Sequence, residues 1–223
     1  MLEPMRAVLV ALISLAFVST AAGQATPTPE AIARALQDRY QKVRDFSADF
    51  AQTYRGGALR TESREQGTMA IKKPGRMRWI YTKPDRHEFI SDGSQIYVYL
   101  PADKQVIVSQ VPPDDQATTS ALFLSGKGDI ARDFTPAFVE SPLAGTIALK
   151  LTPRRPEPDY EYLVVMADPA TLQIRGLTTR DRQRGESTIT FTNLKENRGI
   201  SDKEFAFRIP RGVEVVSNDD ASH

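Results

Sequence analysis

The chain has 223 residues, with 29 Lys and Arg against 28 Asp and Glu, a formal net charge of +1 and no cysteine. Near-neutrality argues against a nucleic-acid binder, which is usually strongly basic. The 40% share of hydrophobic residues argues against a disordered chain, and the lack of cysteine removes disulfides, thiol catalysis and a lipid anchor attached through a cysteine.

Residues 1–23 read as an export signal. A short n-region carrying Arg6 leads into an apolar run over 7–18, too short to span a bilayer, followed by the small residues Ser19, Thr20, Ala21, Ala22 and Gly23. Met5 is an alternative start that drops Glu3 from the n-region. The expected mature chain, 24–223, has the length of a single exported domain with a loose polar tail from Ser217.

Thr28, Pro29 and Glu30 form a helix-start signal: a hydroxyl cap, a proline in the first turn and an acid at the positive end of the dipole. Ile32, Leu36, Tyr40 and Val43 then form one apolar stripe on an otherwise charged helix. From Phe46 the period changes to two. Phe46, Ala48, Phe50, Gln52 and Tyr54 share a face, and Arg55, Gly56 and Gly57 make a turn. Met69 and Ile71 mark the next strand. Lys73, Met77, Trp79 and Tyr81 share a face of the one after, if Pro74 and Gly75 leave the register intact. Phe89 starts a run ending at Asp92-Gly93, a hairpin signal. Residues 95–100, with Ile96 and Val98 on one side and Tyr97 and Tyr99 on the other, read as a central strand covered on both faces. Residues 105–109 return.

Pro112, Pro113, Asp114 and Asp115 interrupt the pattern, and 119–124 and 128–134 read as two short helices. Strands are expected again at 137–139, 145–151, 160–166, 173–179, 186–194 and 204–209. Regular strands with short turns imply one large antiparallel sheet, barrel or sandwich.

Catalytic signals are missing. His87 and His223 are the two histidines, without the clustering of a metal site, and no G-x-S-x-G elbow accompanies them. Gly126-Lys127-Gly128 lacks the spacing of a phosphate loop. The expectation is a non-enzyme without metal or cofactor. The basic run from Lys72 to Trp79 reads as a strand edge guarded by lysines. Alternation alone does not distinguish a filled core from a ligand cavity.

The residues carry a resemblance. Residues 43–52, the stretch 67–81 centred on Lys72-Lys73-Pro74-Gly75-Arg76-Met77-Arg78-Trp79, and Ile90-Ser91-Asp92-Gly93 running into 96–99 resemble the outer-membrane lipoprotein carrier family, the LolA-type periplasmic chaperones. Thr190-Phe191-Thr192-Asn193-Leu194, Phe205-Ala206-Phe207 and 210–215 match as well, in the same order. The resemblance implies an unclosed antiparallel β-barrel of about eleven strands, covered by short helices acting as a lid. It implies a periplasmic, monomeric carrier of acylated lipoproteins, with an inner-membrane lipoprotein-releasing ABC transporter and an outer-membrane acceptor as partners. Phe50, Met69, Met77, Trp79, Tyr81, Phe89, Ile96 and Val98 would line the lipid cavity. Ile32, Leu36, Tyr40, Leu122, Phe123, Leu124 and Ile130 would form the lid. In the best-known member an arginine before the motif proline holds the lid; here that position is Lys73, with Arg76 nearby. A carrier of another lipid, or a non-catalytic periplasmic sensor of the same fold, are the alternatives.

Overall fold

A computed structural model describes residues 27–56, 61–111, 124, 129–158 and 160–217. The signal segment, Leu122 and Phe123 lie outside them. Thr28 caps the first helix, α1 (Pro29–Gln41), by accepting from the Ala31 N–H at 3.2 Å, and Pro29 occupies the first turn. Six strands follow: β1 (Asp45–Gly56), β2 (Thr61–Lys72), β3 (Arg76–Lys83), β4 (His87–Asp92), β5 (Gln95–Leu100) and β6 (Gln105–Gln110). A short helix, α2 (Ile130–Asp133), precedes β7 (Phe134–Val139), β8 (Ile147–Pro153), β9 (Tyr162–Ala167), β10 (Ile174–Arg180) and β11 (Glu186–Glu196). A 3-10 turn (Asp202–Phe205) and β12 (Glu214–Ser217) complete the described chain.

All twelve strands join one sheet in the order β12-β6-β5-β4-β3-β2-β1-β11-β10-β9-β8-β7. Its neighbours pair antiparallel apart from β12, which runs parallel to β6. The end strands β7 and β12 do not pair with each other, so the barrel stays open. The twelfth, parallel strand is one more than the resemblance implies. β1 sits at the middle and joins the β2–β6 half to the β7–β11 half. Gly67 permits close packing at this junction: a Cβ there would lie 1.9 Å from the Ile80 carbonyl oxygen and 3.0 Å from the Phe50 ring.

Several local expectations are corrected. β3 starts at Arg76, and Lys73 to Gly75 form the turn before it, so Lys73 is not a strand residue. Phe134 opens β7 rather than closing a helix. β5 is third from the β12 edge, not central, although Phe207 does cover Tyr97 and Tyr99 on its outer side, with ring centroids 5.3 and 5.7 Å away. No strand forms over 204–209. Ser201 caps the 3-10 turn by accepting from the Lys203 N–H, and Phe205 buries itself. This segment is pinned to the outer face by Lys72, which donates to the Ile200 carbonyl at 2.9 Å and pairs with Asp202 at 2.6 Å. Arg78 donates to the Glu204 carbonyl while pairing with the buried Glu88 at 2.7 Å.

Candidate functional site

Register assembles an apolar face row by row. Phe46, Ile71 and Met77 lie opposite one another on β1, β2 and β3. Ala48, Met69, Trp79, Phe89 and Val98 make the next row across five strands, and Phe50, Gly67 and Tyr81 the next. Directly opposed residues on paired strands point to the same side, so the eight residues read as cavity-lining share one face, Ile96 through its partner Ser91. Phe50, Met69, Met77 and Trp79 are in the buried cluster, with Tyr81 and Phe89 packed on it. Ile96 and Val98 are only half-buried. The second half of the sheet extends the face through Phe191, Ile189, Leu177, Val165 and Leu149. Sequence reasoning missed these as site residues; their strand alternation is the signal that could have found them.

α1 lies on this face. Ala33, Leu36 and Tyr40 join the same buried cluster as Leu124 and Ile130, with Ile32 packed beside them. The Gln37 side-chain oxygen accepts from the Ile130 N–H at 2.9 Å, linking α1 to α2. Tyr40 donates its hydroxyl proton to the Leu124 carbonyl. Arg39 grips Glu196 with two hydrogen bonds, 3.1 and 2.7 Å, and donates to the Thr171 carbonyl at 2.7 Å. Glu196 reaches the inner side because β11 carries an irregularity opposite Ala48, where the register shifts between Ser47 and Asp49. The extra residue reverses the parity that would have turned Glu196 outward.

Lys73 meets the same, C-terminal end of α1. Its ammonium donates to the Tyr40 carbonyl at 2.5 Å and sits 3.3 Å from the centroid of the Tyr40 ring. The carbonyl belongs to the last turn of the helix, where a cation is favoured. Burial lowers the Lys73 pKa from 10.5 to about 8, with Glu196 pulling the other way. Arg76, the other cation considered, alternates with Met77 along β3, so it faces the outer side near Asp202 and away from α1.

Among the described residues, the space found under the helix is small. A void of about 10 Å³ is lined by Tyr40, Phe46, Leu124 and Phe191 among others, the room one water requires. A groove of about 640 Å³ lies on the opposite side of the sheet, walled by Asp49, Thr68, Arg78, Asn193 and Lys195. That groove is open and of mixed character, since Ala48, Met69, Ile80 and Leu194 line it as well. Toward the far end the inner face itself turns polar: the Tyr81 hydroxyl donates to the Gln52 side-chain oxygen, and the Gln52 amide donates to Ser187. A single polar atom stands out among the apolar rows. Trp79 is 3% exposed, and among the described residues its indole N–H has no hydrogen-bond partner. A buried donor left unpaired costs about 1–3 kcal/mol.

Together these features define a class: an open antiparallel half-barrel whose apolar face is capped by an amphipathic helix. Sequence comparison makes the assignment specific. The chain belongs to the outer membrane lipoprotein carrier protein LolA family, whose profile matches residues 41–208. The outer-membrane lipoprotein carrier protein of Chromohalobacter salexigens is 31% identical, covering 79% of this chain and 82% of that one. The protein of the same description from Bordetella avium is also 31% identical, covering 83% and 89%. An uncharacterized conserved protein from Thermus thermophilus shares the fold, with a TM-score of 0.52 at 14% identity, covering 83% of this chain and 99% of that one.

Proposed function

We propose that this chain is a periplasmic chaperone that holds the acyl chains of lipoproteins on its inner apolar face. It receives them from a lipoprotein-releasing ABC transporter in the inner membrane and passes them to an acceptor at the outer membrane. The observation that carries this reading is a continuous apolar face shut by an amphipathic helix that lays its apolar stripe on it. Each CH₂ kept from water is worth ~0.8 kcal/mol, so a lipid-anchored protein crosses an aqueous gap only with its chains covered. The filled interior is the empty state of the carrier; acyl chains take the places of Leu36 and Tyr40 when α1 lifts. Lys73 is the latch. It holds α1 through one N–H bond to the Tyr40 carbonyl, which the neutral amine keeps, without the planar fork that an arginine brings to the same position.

The test is direct. The purified protein is incubated with membranes carrying an acylated lipoprotein and the releasing transporter. A soluble complex of the two proteins is expected, with the acyl chains protected from a membrane-impermeant lipase. Lipoprotein that stays with the membranes would reject the reading.

A further inference from the structure

We infer that the indole N–H of Trp79 is a hydrogen-bond donor for the ester carbonyl at the root of a cargo acyl chain, so that the interior selects ester-linked lipid and not merely hydrocarbon. This inference rests on the carrier function proposed above.

Trp79 stands in the middle row of the inner face, between Met69 and Phe89. Its ring meets the Phe50 ring edge to face, with centroids 4.9 Å apart and planes at 69°. That packing needs an aromatic ring and no N–H; a phenylalanine would supply it. The nitrogen is nevertheless present, fully buried and without a hydrogen-bond partner among the described residues. Neither the void under α1 nor the outer groove is lined by Trp79.

A buried donor with no protein acceptor is satisfied when an acceptor enters from outside. The surroundings define that acceptor. Met69, Met77, Phe50 and Phe89 around it are apolar, so a charged phosphate or carboxylate would lose its hydration there without a counter-charge. A neutral carbonyl carried by a hydrocarbon chain meets both demands. The polar cluster of Gln52, Tyr81 and Ser187 lies further along the same face, toward the end where the more hydrated portion of the cargo would emerge. The inference thus places the chain-to-headgroup junction near Trp79, with hydrocarbon extending toward Phe46 and α1.

The experiment compares two synthetic lipopeptides, one with two palmitoyl chains in ester linkage and one with hexadecyl chains in ether linkage. The ether oxygen is a far weaker acceptor than the ester carbonyl. The protein is expected to bind the ester probe roughly two- to tenfold more tightly, the range one neutral hydrogen bond supplies. Trp79→Phe is expected to bind both alike while unfolding at an equal or higher urea concentration. Because the chain has one tryptophan, its single indole resonance in a ¹⁵N–¹H spectrum provides a second readout that needs no variant. It is expected to move downfield with the ester probe and not with the ether probe. Equal binding of both probes by the parent protein, with the same indole response to each, would overturn the inference and leave the carrier function standing. Failure to bind either probe would reject the carrier function and this inference with it.

Discussion

Lys73 is where a single side chain is expected to decide behaviour. Lys73→Leu should fold, because the residue sits in a turn and carries no strand pairing, and it should still take up lipoprotein. Delivery to the acceptor should slow severalfold, since the bond from Lys73 to the Tyr40 carbonyl no longer helps the helix return and expel the cargo. A transfer assay with normal delivery by this variant would leave Lys73 without a latch role. Proton linkage adds a second expectation. The closed form holds Lys73 near pKa 8, against 10.5 when it is free in water. Between those values it binds fewer protons than the open form, so closing becomes more favourable as pH rises through that window. The gain is complete above 10.5 and lost as pH falls through about 8. Burial pushes the Tyr40 phenol up, so it stays neutral across most of this range. Uptake of a fluorescent acyl probe should therefore slow between about pH 8 and 10.5. In Lys73→Arg, whose guanidinium remains charged throughout, the slowing should vanish; its persistence would assign the effect to another group.

At the scale of the element, α1 is a folded helix that the proposed function makes a removable cover. Leu36 is 1% exposed, so Leu36→Ala should cost ~2–5 kcal/mol if the helix were a permanent member of the core. A hinged cover should show a smaller loss in urea unfolding together with leakier cargo retention. Leu36→Asp, or Leu124→Asp in the same buried cluster, should abolish retention, measured as loss of the soluble complex. Glu196→Gln removes the charge that Arg39 grips and should raise amide hydrogen exchange in α1 while β1 and β2 stay protected. An unchanged exchange rate in α1 would show that the ion pair does not tether the helix. Much of this architecture is legible in the sequence. The Thr28-Pro29-Glu30 start and the four-residue spacing of Ile32, Leu36 and Tyr40 predict α1, and period-two alternation predicts β1 to β6. What escapes depends on distant partners. Phe205 and Phe207 alternate as strand residues do, yet Tyr97, Tyr99 and Lys72 capture their segment on the outer face. Glu196 acquires its role from a local irregularity in β11 that reverses side-chain parity. The contact made by Lys73 is expected from a strand position, but a turn supplies it.

For the whole molecule, the proposed function makes loading and opening one event, because the void beneath α1 among the described residues is about 10 Å³ and an acyl chain needs many times that space. Lipopeptide binding should accordingly raise hydrogen exchange in α1 and lower it in the sheet rows around Met69 and Trp79. Faster exchange in both would indicate general loosening in place of displacement. The filled interior has a further consequence. In a carrier that works as proposed, Leu36 and Tyr40 act as a tethered competitive ligand, present at the high effective concentration that covalent attachment gives. On that reading the empty protein inhibits itself. Its apparent affinity for cargo is lower than the intrinsic affinity of the bare apolar face, by the fraction of molecules that are open. Each stabilisation of the closed helix weakens capture and strengthens release in the same proportion. Direction of travel can then be set by how tightly the next protein holds the cargo, with the returning helix preventing its recapture.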